Sequence, residues 1–145
     1  MNLKNDQKEV LSKPIGIIHS PFKDRNEIPK QPYEGRDVKA TVEIFPEFVD
    51  GLKCLEKFSH IVLLFNFHLS YDYNLQVVPY RKNHTSGVFA TRSPHRPNQI
   101  GLSIVRLESI KSNIINITNI DIIDGTPLLD IKPFIKEMDC FDMID

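Results

Sequence analysis

The sequence has no tryptophan, only two cysteines and no long hydrophobic run among its 145 residues. Because no stretch of about 18 apolar residues exists, a transmembrane helix is not expected, and the polar start MNLKNDQKEVLSK lacks the apolar core of a signal peptide. Cys54 and Cys140 lie far apart and belong to no CxxC or Cys/His cluster. This cysteine usage is typical of a reduced, cytoplasmic protein and argues against a structural zinc site.

Several motifs that hold nucleotides or metals are also missing. No glycines have the GxGxxG spacing, and there is no GxxxxGK[ST], HExxH or GxSxG segment. The five histidines form no close ligand pair on one helix, so no metal site is predicted. A nucleotide-like cofactor would therefore need a binding device other than a Rossmann loop.

Acidic residues are absent from residues 73–107, a window of 35 residues in a chain that carries 19 Asp and Glu. The window holds 5 of the 18 basic residues, so the remainder has 13 basic and 19 acidic side chains, a balance of −6. Such a window is either buried strand, from which acids are excluded, or a surface that faces an anion. We favour the anion-facing surface.

Alternating and β-branched segments predict a mainly β, non-Rossmann protein. We predict strands over residues 14–20, 38–45, 60–69, 87–91, 100–110, 113–121 and 128–135. Apolar residues at helical spacing behind Pro46 predict a short helix over residues 46–58, and residues 60–69 are expected to be buried on both faces. These elements indicate a small antiparallel β-barrel of six to seven strands with one or two short helices. We expect a flexible tail over residues 1–12 and a single domain over residues 13–145.

The segment RSPHRPNQIGLS, residues 92–103, combines groups that suit recognition of an anion or a nucleobase. Its two prolines stiffen the loop, because each fixes φ and reduces the entropy lost on ordering. Arg92 and Arg96 supply planar donor forks for carboxylate or phosphate. Asn98 offers an amide donor and acceptor, and Gly101 permits close backbone approach. A solvated turn stiffened by proline is the alternative for any one residue, but the combination favours a functional loop.

Two further segments carry groups that suit a binding site. IPKQPY, residues 28–33, presents Lys30 and Gln31 between prolines, although an ordinary polar loop would have the same composition. In DIIDGTP, residues 121–127, acids at a strand end suit ribose hydroxyls and exposed backbone groups suit an adenine, whereas the alternative is a β-turn built on Asp-Gly. A histidine where a core strand meets the rim, such as His68, is more often a packing residue than a catalytic one.

Four segments resemble the TsaA/TrmO-like family, also called VirR-like, in the same order along the chain: PIGIIHSPF, FSHIVLLFNFH, RSPHRPNQIGLS and DGTPLLDIKPFI. The resemblance covers about residues 14–135. It implies a small β-barrel that forms homodimers and binds S-adenosylmethionine near the dimer interface without a Rossmann domain. Characterised members methylate N6 of threonylcarbamoyladenosine, next to the anticodon of certain tRNAs. The resemblance therefore implies an S-adenosylmethionine-dependent tRNA methyltransferase.

The resemblance also implies which residues bind the cofactor. They are Pro29, Lys30, Gln31, Phe67, His68, Arg92, Leu102, Asp121, Ile122, Ile123 and Asp124. The family commonly has Arg at the position of Lys30, Pro at that of Gln99 and Trp at that of Val62. Lys30 keeps the charge but lacks the bidentate fork, and Gln99 is expected to loosen the loop slightly. The C-terminal extension of longer bacterial members is not expected in this chain.

The implied reaction is an in-line displacement at the sulfonium methyl, in which alignment supplies much of the acceleration. Because the acceptor nitrogen is a weak nucleophile while protonated, a base would help, and His95 is the candidate. The substrate carboxylate suits Arg92 or Arg96, and Asn98 and Lys132 are further substrate-binding candidates. The alternatives are a non-catalytic barrel that binds RNA or a nucleotide, and a methyltransferase that acts on another substrate.

Overall fold

β-branched residues that alternate with polar ones form most of the strands in this computed structural model, which describes residues 8–28, 37–79 and 82–141. The strands are β1 (Gly16–His19), β2 (Lys39–Ile44), β3 (His60–Asn66), β4 (Gln76–Val77), β5 (Ser86–Gly87), β6 (Ile100–Lys111), β7 (Ile114–Thr118) and β8 (Thr126–Pro133). One short helix, α1 (Lys136–Asp139), follows β8. The 3₁₀ turns are Arg25–Glu27, Pro46–Leu52, Leu55–Lys57 and Val88–Ala90.

Six of these strands close into an antiparallel barrel in the order β1, β2, β7, β6, β3, β8, with β8 pairing back to β1. Closure leaves the barrel without a free sheet edge. Strands β4 and β5 pair only with each other and form a small hairpin outside the barrel. The predicted small antiparallel barrel is confirmed.

Aliphatic side chains from alternate strand positions fill the barrel. Ile18, Val42, Ile61, Leu63 and Val105 are completely buried. Each such side chain contributes about 1.5–3 kcal/mol to folding when it leaves water. Since the interior is occupied by this core, a ligand must bind at an end of the barrel or on its outer surface.

Strand β3 differs from the prediction that both of its faces are buried. Ile61, Leu63 and Phe65 are buried in the core, whereas Val62 and Leu64 alternate with them and are only half-buried. A barrel has one interior, so a strand of continuous apolar residues turns every second side chain outward. The prediction of burial on both faces is wrong.

Two other segments also differ from the prediction. The helix predicted behind Pro46 consists of two 3₁₀ turns, interrupted at Cys54, whose φ of 70° is left-handed and does not continue a right-handed helix. The strand predicted over residues 87–91 ends at Gly87, and the chain then enters a 3₁₀ turn that buries Val88. The elements β4 and α1 were not predicted, because two and four residues are too few to show a period.

Long connections meet at one end of the barrel. Strand β3 ends there at Asn66, which pairs with Ile100 at the start of β6. The adjacent Phe65 pairs with Leu128, near the start of β8. The segments that precede β6 and β8 therefore lie over this end. At the other end of β3, Ile61 pairs with Pro133.

Candidate functional site

The connections at the Asn66 end enclose an open cleft of about 510 Å³. Its lining comes from four stretches that are distant in sequence, within residues 25–28, 65–70, 91–103 and 121–126. The antiparallel pairing of β3 with β6 brings the second and third stretches together. A cleft of this volume is large enough for a cofactor-sized ligand.

The floor of the cleft is aromatic. The rings of Phe65 and Phe67 pack edge to face, with their centroids 5.2 Å apart and their planes at 79°, a favourable arrangement for an aromatic pair. Phe65 is 5% exposed, and its ring occupies the space that a Cβ at position 101 would need. Gly101 is therefore required by close packing against this ring.

Loop 92–99 forms one wall and is held in shape by one of its own arginines. Arg96 donates from Nη1 to the backbone carbonyls of Thr91 (2.9 Å) and Ser93 (3.0 Å). The remaining N–H groups of this guanidinium can still donate to a ligand. Arg92 is exposed, and it takes part in no ion pair with another described residue. Arg92 is thus the better placed of the two to bind an anion in the cleft.

Two long side chains hold the rim formed by residues 68–70. Arg25 donates from Nη2 to the carbonyl of Leu69 (2.9 Å) and to Ser70 Oγ (3.0 Å). Gln99 donates from its side-chain amide to the carbonyl of Ser70, and its own φ of 52° is left-handed. The rim and loop 92–99 are therefore linked through Ser70, which is 4% exposed. The sequence did not indicate Arg25 or Ser70 as site residues.

The connection between β7 and β8, at residues 121–126, forms a further wall. Ser20 Oγ donates to the carbonyl of Ile122 (2.5 Å), and Thr126 Oγ1 donates to the carbonyl of Ile123 (2.6 Å). Each carbonyl keeps one lone pair for a ligand. The carboxylate of Asp121 accepts a hydrogen bond from Ser103 Oγ at 2.7 Å. Ser103 is a third residue that sequence reasoning missed, although it ends the RSPHRPNQIGLS segment.

Asp124 lies on a different surface from the cleft. It lines a larger polar groove of about 1250 Å³, where its carboxylate accepts from Lys23 Nζ (2.6 Å) and from the backbone N–H of Ser20 (2.9 Å). The hydrogen bond from Lys23 holds the pKa of Asp124 below its usual value, against a desolvation effect that raises it. Ser20 and the positive charges of Lys23 and His19 also lower this pKa. Asp124 thus links the turn that precedes β8 to the residues that follow β1.

Most residues predicted to bind cofactor or substrate line the one cleft. They are Phe67, His68, Arg92, Arg96, Leu102, Asp121, Ile122 and Ile123. His95 and Asn98 belong to loop 92–99 but are not among the lining residues. The cleft therefore gathers an aromatic floor, a carboxylate and an exposed guanidinium, which suit a ligand with an aromatic ring, hydroxyl groups and a carboxylate.

Some predicted residues lie elsewhere. Lys132 is on β8, where it pairs with Val62 and forms an ion pair with Asp130 at 3.1 Å. Lys132 does not line the cleft. The residue of β8 that lines the cleft is Thr126, at the other end of the strand. Three residues predicted to bind the cofactor, Pro29, Lys30 and Gln31, lie outside the described residues. Ile28, immediately before them, lines the cleft.

The family described as "tRNA-methyltransferase O N-terminal domain" (TrmO_N) matches residues 17–140, which include every wall of the cleft. The chain belongs to this family. A Pyrococcus abyssi relative named "Probable S-adenosyl-L-methionine-binding protein" is 54% identical over 130 residues, covering 90% of this chain and 71% of the relative. A human protein named "tRNA (adenine(37)-N6)-methyltransferase" is 42% identical over 137 residues, covering 90% of this chain and 31% of that protein.

TrmO structures share the fold as well as the sequence. The crystal structure of TrmO from Pseudomonas aeruginosa superposes with a TM-score of 0.80 at 40% identity, covering 94% of this chain. The match covers 61% of the Pseudomonas TrmO chain. The predicted TrmO-like resemblance is confirmed. Within the described residues, no helix has the length and apolarity needed to cross a membrane, and no three His, Cys, Asp or Glu side chains gather as metal ligands would.

Proposed function

We propose that this chain is an S-adenosylmethionine-dependent tRNA methyltransferase that methylates N6 of threonylcarbamoyladenosine at position 37 of the anticodon loop. The observation that carries the proposal is the convergence of residues 67–68, 92–103 and 121–123 on one cleft. Relatives named for S-adenosylmethionine binding and for tRNA (adenine(37)-N6) methylation support it.

The residues of the cleft fit S-adenosylmethionine. Phe67 and Leu102 offer apolar contact to its adenine, and the carboxylate of Asp121, oriented by Ser103, suits ribose hydroxyls. The carbonyls of Ile122 and Ile123 can accept from an adenine amine, and His68 and Arg92 lie where they can meet the polar methionine end. From the family pattern we include Pro29, Lys30 and Gln31, and Asp124 through its backbone only, because its carboxylate lies in the other groove. When bound, the cofactor supplies an activated methyl group.

Loop 92–99 supplies the groups proposed to bind and orient the substrate. Arg92 pairs with the carboxylate of the threonine moiety, since a guanidinium binds a carboxylate through two parallel N–H groups. Arg96 keeps the loop in shape and offers its remaining N–H groups, and Asn98 can read a base edge. His95 accepts the proton of the acceptor nitrogen as general base. Lys132, on the far part of β8, would contact the tRNA backbone and not the target base.

We also propose that the protein is a cytoplasmic homodimer. The outer faces of β3 and β6 carry a row of apolar side chains: Val62, Leu64, Ile100, Leu102 and Ile104. Ile100, Leu102 and Ile104 are 50%, 42% and 43% exposed in the single chain, which is unfavourable in water. A second copy of the chain seated on this row would lie beside the cleft, because Leu102 belongs to both.

Calorimetry with S-adenosylmethionine and mass spectrometry of tRNA nucleosides test the proposal. The wild-type chain should bind the cofactor, and deletion of the gene should remove N6-methylated threonylcarbamoyladenosine from tRNA. Arg92→Ala should lower kcat/KM about 10-fold or more, because a charged hydrogen bond contributes about 1.5–3 kcal/mol, without lowering the melting temperature.

Arg106→Ala is the matched control, since Arg106 is an exposed arginine on β6 whose Nε contacts Glu108 at 3.3 Å, away from the cleft. Absence of cofactor binding in the wild-type chain would leave only a non-catalytic module. Binding with an unchanged nucleoside profile would instead show a different methyl acceptor.

A further inference from the structure

The segment between the rim and loop 92–99 projects several large apolar side chains into solvent. We name residues 71–79 and 82–90 the aromatic arm. Its exposed members are Tyr71 (84%), Tyr73 (55%), Leu75 (62%), Val78 (61%) and Phe89 (76%). Scattered single apolar residues are normal on a surface, but five large exposed ones within twenty positions of one segment are more than such scatter and indicate a partner.

Backbone hydrogen bonds order the part of the aromatic arm between Leu75 and Val88. Gln76 pairs with Gly87 and Val77 with Ser86, and the N–H of Val88 donates to the carbonyl of Leu75 (2.9 Å). Val88 is 1% exposed and anchors the returning chain. The arm begins after Ser70, which accepts hydrogen bonds from Arg25 and Gln99. Ser70 lines the cleft, and Val88 is joined to it through Thr91, a lining residue whose N–H donates to the carbonyl of Val88 (3.1 Å).

The charge of this surface selects the kind of partner. Asp72 is the only acidic residue of the aromatic arm, and none follows until Glu108. Lys82 and His84 are exposed near its tip, and Arg92 lies just beyond its end in the cleft. Exposed aromatic rings and Lys82, with one carboxylate in the whole arm, suit a single-stranded nucleic acid, whose bases stack on rings while its phosphates meet basic side chains. A protein interface would not require so few acids.

We propose that the aromatic arm binds the unpaired nucleotides of the RNA loop beside the target base. Tyr71, Tyr73 and Phe89 stack on bases, and Lys82 and His84 contact the backbone. The arm thereby holds the loop while the target base enters the cleft. This inference rests on the proposed function, because it takes the RNA loop as the substrate of that cleft.

Fluorescence anisotropy with a labelled RNA hairpin that carries the anticodon loop tests the inference. Phe89→Ala and Tyr71→Ala should each weaken loop binding about 5- to 20-fold, the usual effect of losing one stacked base. Phe89→Tyr should retain most of the affinity. A fully paired RNA duplex of equal length should bind the wild type and each alanine variant with equal affinity. Lys82→Gln should reduce the salt dependence of binding, since one phosphate contact is lost.

Phe141→Ala is the matched aromatic control, because Phe141 is 74% exposed and lies outside the arm, after α1. Lys53→Gln is the matched charge control, on the turn between Leu52 and Leu55. Both should bind the hairpin as the wild type does. Equal weakening by Phe141→Ala and Phe89→Ala would overturn the inference, as would unchanged binding by the arm variants.

Calorimetry and sedimentation of the same proteins separate the other outcomes. If Phe89→Ala dissociates a dimer and binds RNA less only for that reason, the arm is a contact between copies and the inference is wrong. Because hairpin binding is measured without methyl transfer, a wild type that fails to bind S-adenosylmethionine refutes the proposed function alone. Should an alanine variant unfold, photocrosslinking of 4-thiouridine in the hairpin to wild-type peptides containing Tyr71, Tyr73 or Phe89 decides the question. Crosslinks confined to other peptides overturn the inference.

Discussion

Gly101 is the residue on which the floor of the cleft depends most directly. Its Cα faces the ring of Phe65, which is buried and packed against Phe67. Gly101→Ala should displace this ring and lower the free energy of unfolding by about 1–3 kcal/mol, the usual cost of overpacking a core. Urea denaturation measures this loss, and calorimetry should show weaker binding of S-adenosylmethionine, because the ring pair forms the cleft floor.

Gly51→Ala is the control for that substitution, since a Cβ at Gly51 would have no atom within 4 Å. It should leave stability and cofactor affinity near the wild-type values. A Gly101→Ala protein as stable as wild type, with the same affinity, would show that the glycine is not a packing requirement.

Asp124 gives the stability of the protein a specific acid dependence. Its folded-state pKa is lowered chiefly by the hydrogen bond from Lys23. The stability it contributes is therefore fully present above the unfolded pKa of about 3.9 and is lost as the pH falls through the lower folded pKa. At neutral pH, Asp124→Asn should cost about 0.2–1 kcal/mol, as expected of an ion pair whose lysine is exposed to solvent.

Urea denaturation of both proteins from neutral pH down to pH 2 measures the difference. The gap between wild type and Asp124→Asn should narrow below about pH 4. Asp130→Asn, which removes the partner of Lys132, serves as a comparison at another exposed ion pair. A gap that stays constant or widens in acid would contradict the assignment of the lowered pKa.

Among the elements, the rim at residues 68–70 depends on a side chain from outside its own stretch. Arg25 holds both Leu69 and Ser70. Arg25→Ala should therefore weaken S-adenosylmethionine binding several-fold, because two hydrogen bonds that order a wall are lost, each contributing about 1 kcal/mol. Arg25→Lys keeps a charged donor but lacks the planar guanidinium, and it should be intermediate. Calorimetry measures the affinities.

Circular dichroism should show that Arg25→Ala is folded, with a melting temperature lowered by at most about 8 °C, since about 2 kcal/mol corresponds to a few degrees per kcal/mol in a domain of this size. Lys39→Ala, at an exposed position on β2, is the control. Equal affinities in Arg25→Ala and wild type would show that the rim is ordered without this arginine.

Local pattern was sufficient to predict the barrel strands and insufficient for contacts between distant stretches. Strand β6 was predicted within one residue, because apolar and β-branched residues recur from Ile100 to Ile110. The inward and outward faces of β3 could not be told apart, since Val62 and Leu64 are as apolar as their buried neighbours. Arg25 was missed because its partners are 44 and 45 positions away.

The candidate site was predictable where its residues belong to one motif. Arg92 and Leu102 came from a single segment, and both line the cleft. Asp121 and Asp124 are three positions apart, yet Asp121 lines the cleft and Asp124 lines the polar groove. Short spacing along an irregular connection does not decide on which surface a carboxylate lies.

At the scale of the whole molecule, the features proposed to bind cofactor and RNA lie at one end of the barrel. The Asn66 end carries the cleft, the aromatic arm and loop 92–99, and most of this end belongs to the window without acids. The chain as a whole has a net charge of −1, so attraction for RNA depends on where the charges lie. The apolar row on β3 and β6 begins at this same end, which connects assembly to the cleft.

Ile104→Glu tests that connection. Ile104 belongs to the apolar row but does not line the cleft. In a dimer the substitution buries an unpaired charge on each copy, at a cost of about 3–5 kcal/mol, so sedimentation velocity should show at least about 100-fold weaker association. S-adenosylmethionine affinity should fall as well, because the second copy would no longer close the side of the cleft at Leu102. Met138→Glu, at a 66% exposed position on α1, should remain dimeric and bind normally. If wild type is a monomer, or if Ile104→Glu dissociates without loss of affinity, the cleft is complete in one chain and assembly has no part in cofactor binding.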